Sequence, residues 1–84
     1  MVNNPYDCVA DATYRLLVNT EHTAPSTCAA GTSCITIAVV DGHISVQDSK
    51  LDTQERRART QVYTAAEVAA FVRDVKAGRY DDLF

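Results

Sequence analysis

Glycine is scarce in this chain, with three residues in 84 and none beside another. A phosphate cradle needs clustered glycines so that backbone N–H groups can close around the anion, and a glycine-rich nucleotide loop is therefore excluded. Basic residues are outnumbered: eight Lys and Arg stand against eleven Asp and Glu, a formal net charge of -3. A general nucleic-acid or anionic-membrane binder needs a basic face to neutralise phosphates. The balance disfavours direct nucleic-acid contact and a membrane surface, and favours basic partners. Long apolar runs are missing too, since Ile37–Val40 falls far short of the roughly 20 residues that span a bilayer, and no cationic start leads into an apolar stretch. The expected compartment is the cytoplasm.

Cysteine is sparse and odd in number: Cys8, Cys28 and Cys34. Small secreted domains use dense, even sets, so reduced thiols are the expectation, with the pairing of Cys28 and Cys34 left open. His22, Cys28, Cys34 and His43 can be drawn as zinc ligands, but five residues separate His22 from Cys28 and Cys28 from Cys34, which misses the two-to-four spacing of tight zinc knuckles. No metal and no cofactor are expected. No repeat or second domain is visible, so residues 1–84 read as one domain near the lower size limit for a single core.

What is present most clearly is a helix over 65–77. Thr64 and Glu67 have capping-box spacing, and Tyr63 and Val68 can form the hydrophobic staple. Val68, Phe71, Val72 and Val75 recur at i, i+3, i+4, i+7, an apolar stripe that must cover something, and Gly78 suits the stop. Phe71 is expected at the centre of the core, with Tyr80 folding back onto Phe71 or Val75.

A strand over 33–40 alternates Ile35, Ile37 and Val39 with Cys34, Thr36 and Ala38 and ends at Asp41-Gly42, the strongest short hairpin signal. A two-residue turn there pairs Val40 with His43, and counting outward sets Val39 against Ile44 and Ile37 against Val46 on one face. The same count puts Asp48 opposite Ile35, a carboxylate at the edge of the apolar face. The fold class that follows is α+β: a small antiparallel sheet around a central hairpin, 33–48, covered by the C-terminal helix.

Elsewhere the pattern is weaker. Asn4-Pro5 can open a helix over 5–18, yet Thr13–Val18 is rich in strand-favouring residues, and both readings stand. Residues 19–32 read as a long loop, 51–60 as a charged connector, and Thr60–Tyr63 as a short strand. Both histidines are expected in solvent near turns.

Two groups of residues invite a binding role. Asp48, Ser49 and Lys50 either bond backbone donors where the strand ends or form a recognition patch on a rigid support. Arg56, Arg57 and Arg59 are either solvated or able to clamp a phosphate or a partner carboxylate. Catalysis has no comparable foothold: Cys34 lies mid-strand, and neither histidine has a carboxylate or cysteine at a separation that joins them. An enzyme is not expected.

The hairpin and helix resemble domain-of-unknown-function family 397, small acidic actinobacterial proteins. Ser33-Cys34-Ile35-Thr36-Ile37-Ala38 is similar to that family's Asn-Cys-Val-Glu-Val-Ala strand, and Ile44–Lys50 to its Val-Ala-Val-Arg-Asp-Ser-Lys run. An aromatic at Tyr63, then Thr64, Glu67, Phe71, Lys76-Ala77-Gly78, Tyr80 and Asp81 is similar to its closing segment. The family's opening Trp-x-Lys-Ser-Ser strand has no counterpart here, Val68 stands where the family carries tryptophan, and the arginine-bearing connector replaces a short link. The resemblance implies a divergent member, encoded beside a helix-turn-helix regulator of the XRE type and acting through it. The implied function is that of an accessory transcriptional regulator which alters its partner's operator binding. The alternative is the toxin of a toxin–antitoxin-like pair, neutralised by that regulator. The contacts are expected at Asp48, Ser49, Lys50, Arg56, Arg57 and Arg59.

Overall fold

The computed structural model describes residues 3–28 and 34–83. The chain runs α1 (Asp11–Asn19), β1 (Ile35–Val40), β2 (His43–Asp48), α2 (Thr53–Ala58), β3 (Gln61–Thr64) and α3 (Ala65–Lys76), then a 3-10 turn at Asp81–Leu83. The three strands form one antiparallel sheet in the order β1-β2-β3, and the class is α+β. Ser33, positions 29–32 of the expected loop and Phe84 lie outside the described residues.

The hairpin has the expected register, from Val40 against His43 through Val39–Ile44 and Ile37–Val46 to Ile35–Asp48. Asp41 (φ 51°) and Gly42 (φ 76°) both take the positive φ that a two-residue hairpin turn of type I′ requires. Thr13 Oγ1 donates to Asp41 Oδ2 (3.4 Å), tying α1 to this turn. β3 joins the free side of β2, with Ser45 opposite Val62 and Ile44 opposite Tyr63.

The N-terminal segment resolves as helix, which excludes the strand alternative for 13–18, but α1 starts at Asp11 rather than Pro5. Asn4 spends its side chain on an Asx-type turn instead of a helix cap: Oδ1 accepts from the Tyr6 amide (2.9 Å), and Nδ2 donates to the Val9 carbonyl and to Asp11 Oδ1 (both 2.9 Å). The 51–60 connector is likewise corrected, because it contains α2. Asp52 is its N-cap, accepting from the Glu55 amide at 3.0 Å, and Arg59 pairs back to Glu55 one turn away.

Burial departs from the sequence pattern. The core is built from Val9, Tyr14, Leu17, Val18 and Val62, with Tyr6 and Val40 packed against it. It lies on the α1 side of the sheet, where the strands contribute Thr36, Ser45 and Gln47, all buried. The cause is the end of α1, whose last carbonyls have no partner within the helix. Ser45 Oγ donates to the Leu17 carbonyl (3.3 Å), and Gln47 Nε2 donates to the Val18 carbonyl (3.0 Å) and to Thr60 Oγ1 (2.9 Å). Thr36 Oγ1 donates to the Gln47 carbonyl (3.0 Å), and among the described residues no buried side-chain polar atom lacks a partner.

On the opposite face α3 packs against β2 and β3. Its capping box is complete: Thr64 Oγ1 accepts from the Glu67 amide (3.2 Å), and Glu67 Oε1 accepts from the Thr64 amide (2.8 Å). Gly78 (φ 82°) ends it, and the Tyr80 ring does fold onto Phe71, with centroids 5.5 Å apart. Ile44 is buried, but no residue of α3 is, and Phe71 is 58% exposed. The expectation of Phe71 as a core centre is overturned, because the polar-laced layer under α1 supplies the core instead.

Candidate functional site

Asp48, Ser49 and Lys50 leave the end of β2 as a turn. The Asp48 carboxylate accepts from the Lys50 amide (2.9 Å) and pairs with Lys50 Nζ (3.0 Å). The Lys50 amide, and then its ammonium, hold the Asp48 carboxyl below the usual carboxylate range. Ser49 works as a latch: its amide and its hydroxyl donate to the Cys34 carbonyl (3.1 Å each), and the hydroxyl accepts from the Cys34 amide (2.9 Å). The triplet therefore has the structural role that such residues take at strand ends, while the Asp48 and Lys50 side chains keep an exposed face.

Cys34, held by Ser49, is joined to Cys28 in a disulfide with Cα atoms 6.3 Å apart. This corrects the expectation of reduced thiols. The loop after α1 turns back along β1, where Thr23 and Ile37 exchange backbone hydrogen bonds (2.7 and 3.0 Å), and brings Cys28 within disulfide reach of the strand start. Cys8 is a free, exposed thiol. Neither bridged sulfur is available as a thiolate ligand, and among the described residues no three His, Cys, Asp or Glu side chains converge.

Asp48, Lys50 and Arg59 come together with Ile35, Leu51 and Gln61 around an open cleft of about 420 Å³ at the end of the sheet. The Arg59 guanidinium is engaged by Glu55 (2.9 Å), which raises its already high pKa. The other two arginines do not join it. Arg57 lines a separate cleft of about 490 Å³ between α1 and α2, with Tyr14, Arg15, Val18, Asn19, Thr53 and Gln54. Arg56 donates to Thr53 Oγ1 (3.4 Å), and its charge bears on His22. The helical turn of α2 spreads the three side chains, so they do not form a single clamp.

The residue that sequence reasoning missed is His22, expected in solvent and found half-buried. Its Nδ1–H donates to the Thr20 carbonyl (2.9 Å), and its Nε2 competes with the Leu17 carbonyl for the single proton of the buried Ser45 hydroxyl (2.6 and 3.3 Å). Burial lowers its pKa, the Thr20 carbonyl opposes this, and the Arg56 charge adds to the lowering. With Ser45 wholly buried the pair is a structural hydrogen bond, since no substrate can reach that hydroxyl. A histidine three residues past the end of a helix carries no sequence signal of this contact.

Beside the charged cleft, the sheet face away from α1 stays open along β1. Ile35, Ile37 and Val39 are 71%, 46% and 64% exposed, and Phe71, Val72 and Val75 of α3 are exposed as well. No helix among the described residues is long and apolar enough to cross a membrane. No protein-family model, curated protein or solved structure matches this chain. Fold and surface together define a small α+β domain with one closed, polar-laced core and one open apolar face.

Proposed function

We propose that this domain is a protein-binding module: an accessory transcriptional regulator that engages an XRE-type helix-turn-helix protein and changes its operator affinity without contacting DNA itself. The observation that carries the reading is the cleft in which Asp48, Lys50 and Arg59 meet beside Leu51 and Gln61. Charged groups held by a strand end and a short helix, next to apolar surface, give the mixture of orientation and contact area that protein recognition uses. The net charge of -3 suits the basic surface of a DNA-binding partner and opposes phosphate contact. The choice of a helix-turn-helix partner rests on the resemblance of the Asp48–Lys50 and α3 segments to family 397.

Lys50 and Arg59 are rim charges and act chiefly on association rate. Asp48 bonds both the amide and the ammonium of Lys50 and so orients that side chain through the turn. The test is co-purification with the product of the adjacent helix-turn-helix gene, followed by a gel shift on its operator. The expected result is a complex whose operator affinity differs from that of the free regulator by about 5–150-fold, the ordinary span of coupling between sites. A regulator that neither co-purifies nor changes its operator affinity would overturn the proposal.

A further inference from the structure

The open face has a shape that its own copy can fill. α3 packs over β2 and β3, while β1 carries Ile35, Ile37 and Val39 on the same side without cover. The surface is therefore a ridge, the Phe71, Val72 and Val75 stripe of α3, beside a step, the apolar row of β1. Turned about a two-fold axis, the ridge of one copy comes over the step of the other, and the second contact is made by symmetry.

We infer that this face is the interface of a homodimer, in which the α3 stripe of each protomer covers the β1 row of its partner. Three observations point to a second copy. These six side chains leave on the order of 600 Å² of apolar surface open, the upper end of what a monomer exposes and most of the ~800 Å² that each partner brings to a standard interface. The charges bordering β1 are already paired within the protomer, Asp48 with Lys50 (3.0 Å) and Arg59 with Glu55 (2.9 Å), so that edge brings little uncompensated like charge to a second copy. Finally, α3 has twelve residues and buries none of them, whereas helices of that length are marginal in water without tertiary packing. A partner protomer supplies the missing cover.

The test uses the full chain alone, with no regulator present, so its outcome is independent of the proposed function. Sedimentation velocity across a dilution series should show a species of twice the 9.2 kDa protomer mass at protein concentrations of about 100 µM. Val39→Lys and Phe71→Lys, both at positions exposed in the protomer, should each raise the dimer dissociation constant on the order of a hundredfold by placing an unpaired charge at the interface. Leu16→Lys, an exposed apolar position on α1, should leave the constant unchanged. Val39→Thr keeps the strand and removes apolar area, and should weaken the dimer several-fold even if the lysine variants fold poorly. A protein that stays monomeric at about 1 mM, a dimer indifferent to all three β1 and α3 substitutions, or one weakened equally by Leu16→Lys would overturn the inference.

Discussion

Thr36, Ser45 and Gln47 on one face of the sheet, and Ile35, Ile37 and Val39 on the other, occupy alternate positions of the same hairpin, yet the hydroxyls and the amide are the ones shut away from water. The difference lies in what each face meets. α1 brings Tyr14, Leu17 and Val18 together with carbonyls that need donors, so short polar side chains are what fit beneath it. α3 brings an apolar stripe that reaches β2 and β3 and leaves β1 open. A neighbouring helix end can thus reverse the usual rule that the apolar face of a strand pair turns inward.

The sharpest way to break this comparison is to remove a side chain from the closed face. Leu17 is wholly buried, and Leu17→Ala should cost about 2–5 kcal/mol in chemical denaturation, much of the stability of a domain this size. A cost below about 1 kcal/mol would show that the core lies elsewhere. Reduction of Cys28–Cys34 acts on the start of β1, which both faces share. With a sequence separation of six, opening the bridge should cost about 2 kcal/mol on a chain-entropy account, measured by unfolding with and without reductant.

Next in size is the polar lacing itself. Gln47→Ala leaves the Val18 carbonyl without its side-chain donor and should cost about 1–3 kcal/mol; a neutral effect would mean that the polar contacts do not hold the face shut. His22 adds a pH dependence. Its folded-state pKa lies below the ordinary histidine value of 6.5, so between those two values the unfolded chain binds more protons than the folded one. The His22 contribution is therefore fully present above pH 6.5 and is lost as the pH falls towards the folded-state value. His22→Gln should flatten that slope in stability measured from pH 7.5 down to about 5. The smallest effect belongs to the open face: Phe71→Ala in dilute protein should cost less than about 1 kcal/mol, since that ring is mostly in water already.

Local signals carried much of this fold. Asp41-Gly42 dictated the turn and with it the register, and Thr64, Glu67 and Gly78 marked both ends of α3. What the sequence could not show was which face α1 would claim, because that depends on long-range contacts such as Gln47 with Val18 and His22 with Ser45. α2 was obscured because a run of charged side chains looks like solvated connector even where Asp52 and Glu55 have cap spacing, and the disulfide because an odd, sparse cysteine set does not show that the loop after α1 returns along β1. Of the six expected site residues, Asp48, Lys50 and Arg59 line one cleft, Ser49 is drawn into the Cys34 latch, and α2 turns Arg56 and Arg57 aside.

The central claim is that the α1 face is a core closed within one protomer and the α3–β1 face is closed only by a second copy. Amide hydrogen exchange at low and high protein concentration tests both halves at once. Slow exchange in α1 and in β2 opposite it should not depend on concentration, whereas protection of α3 should rise steeply as the protein is concentrated. Protection of α3 that equals that of α1 and is already complete in dilute monomer would contradict the account.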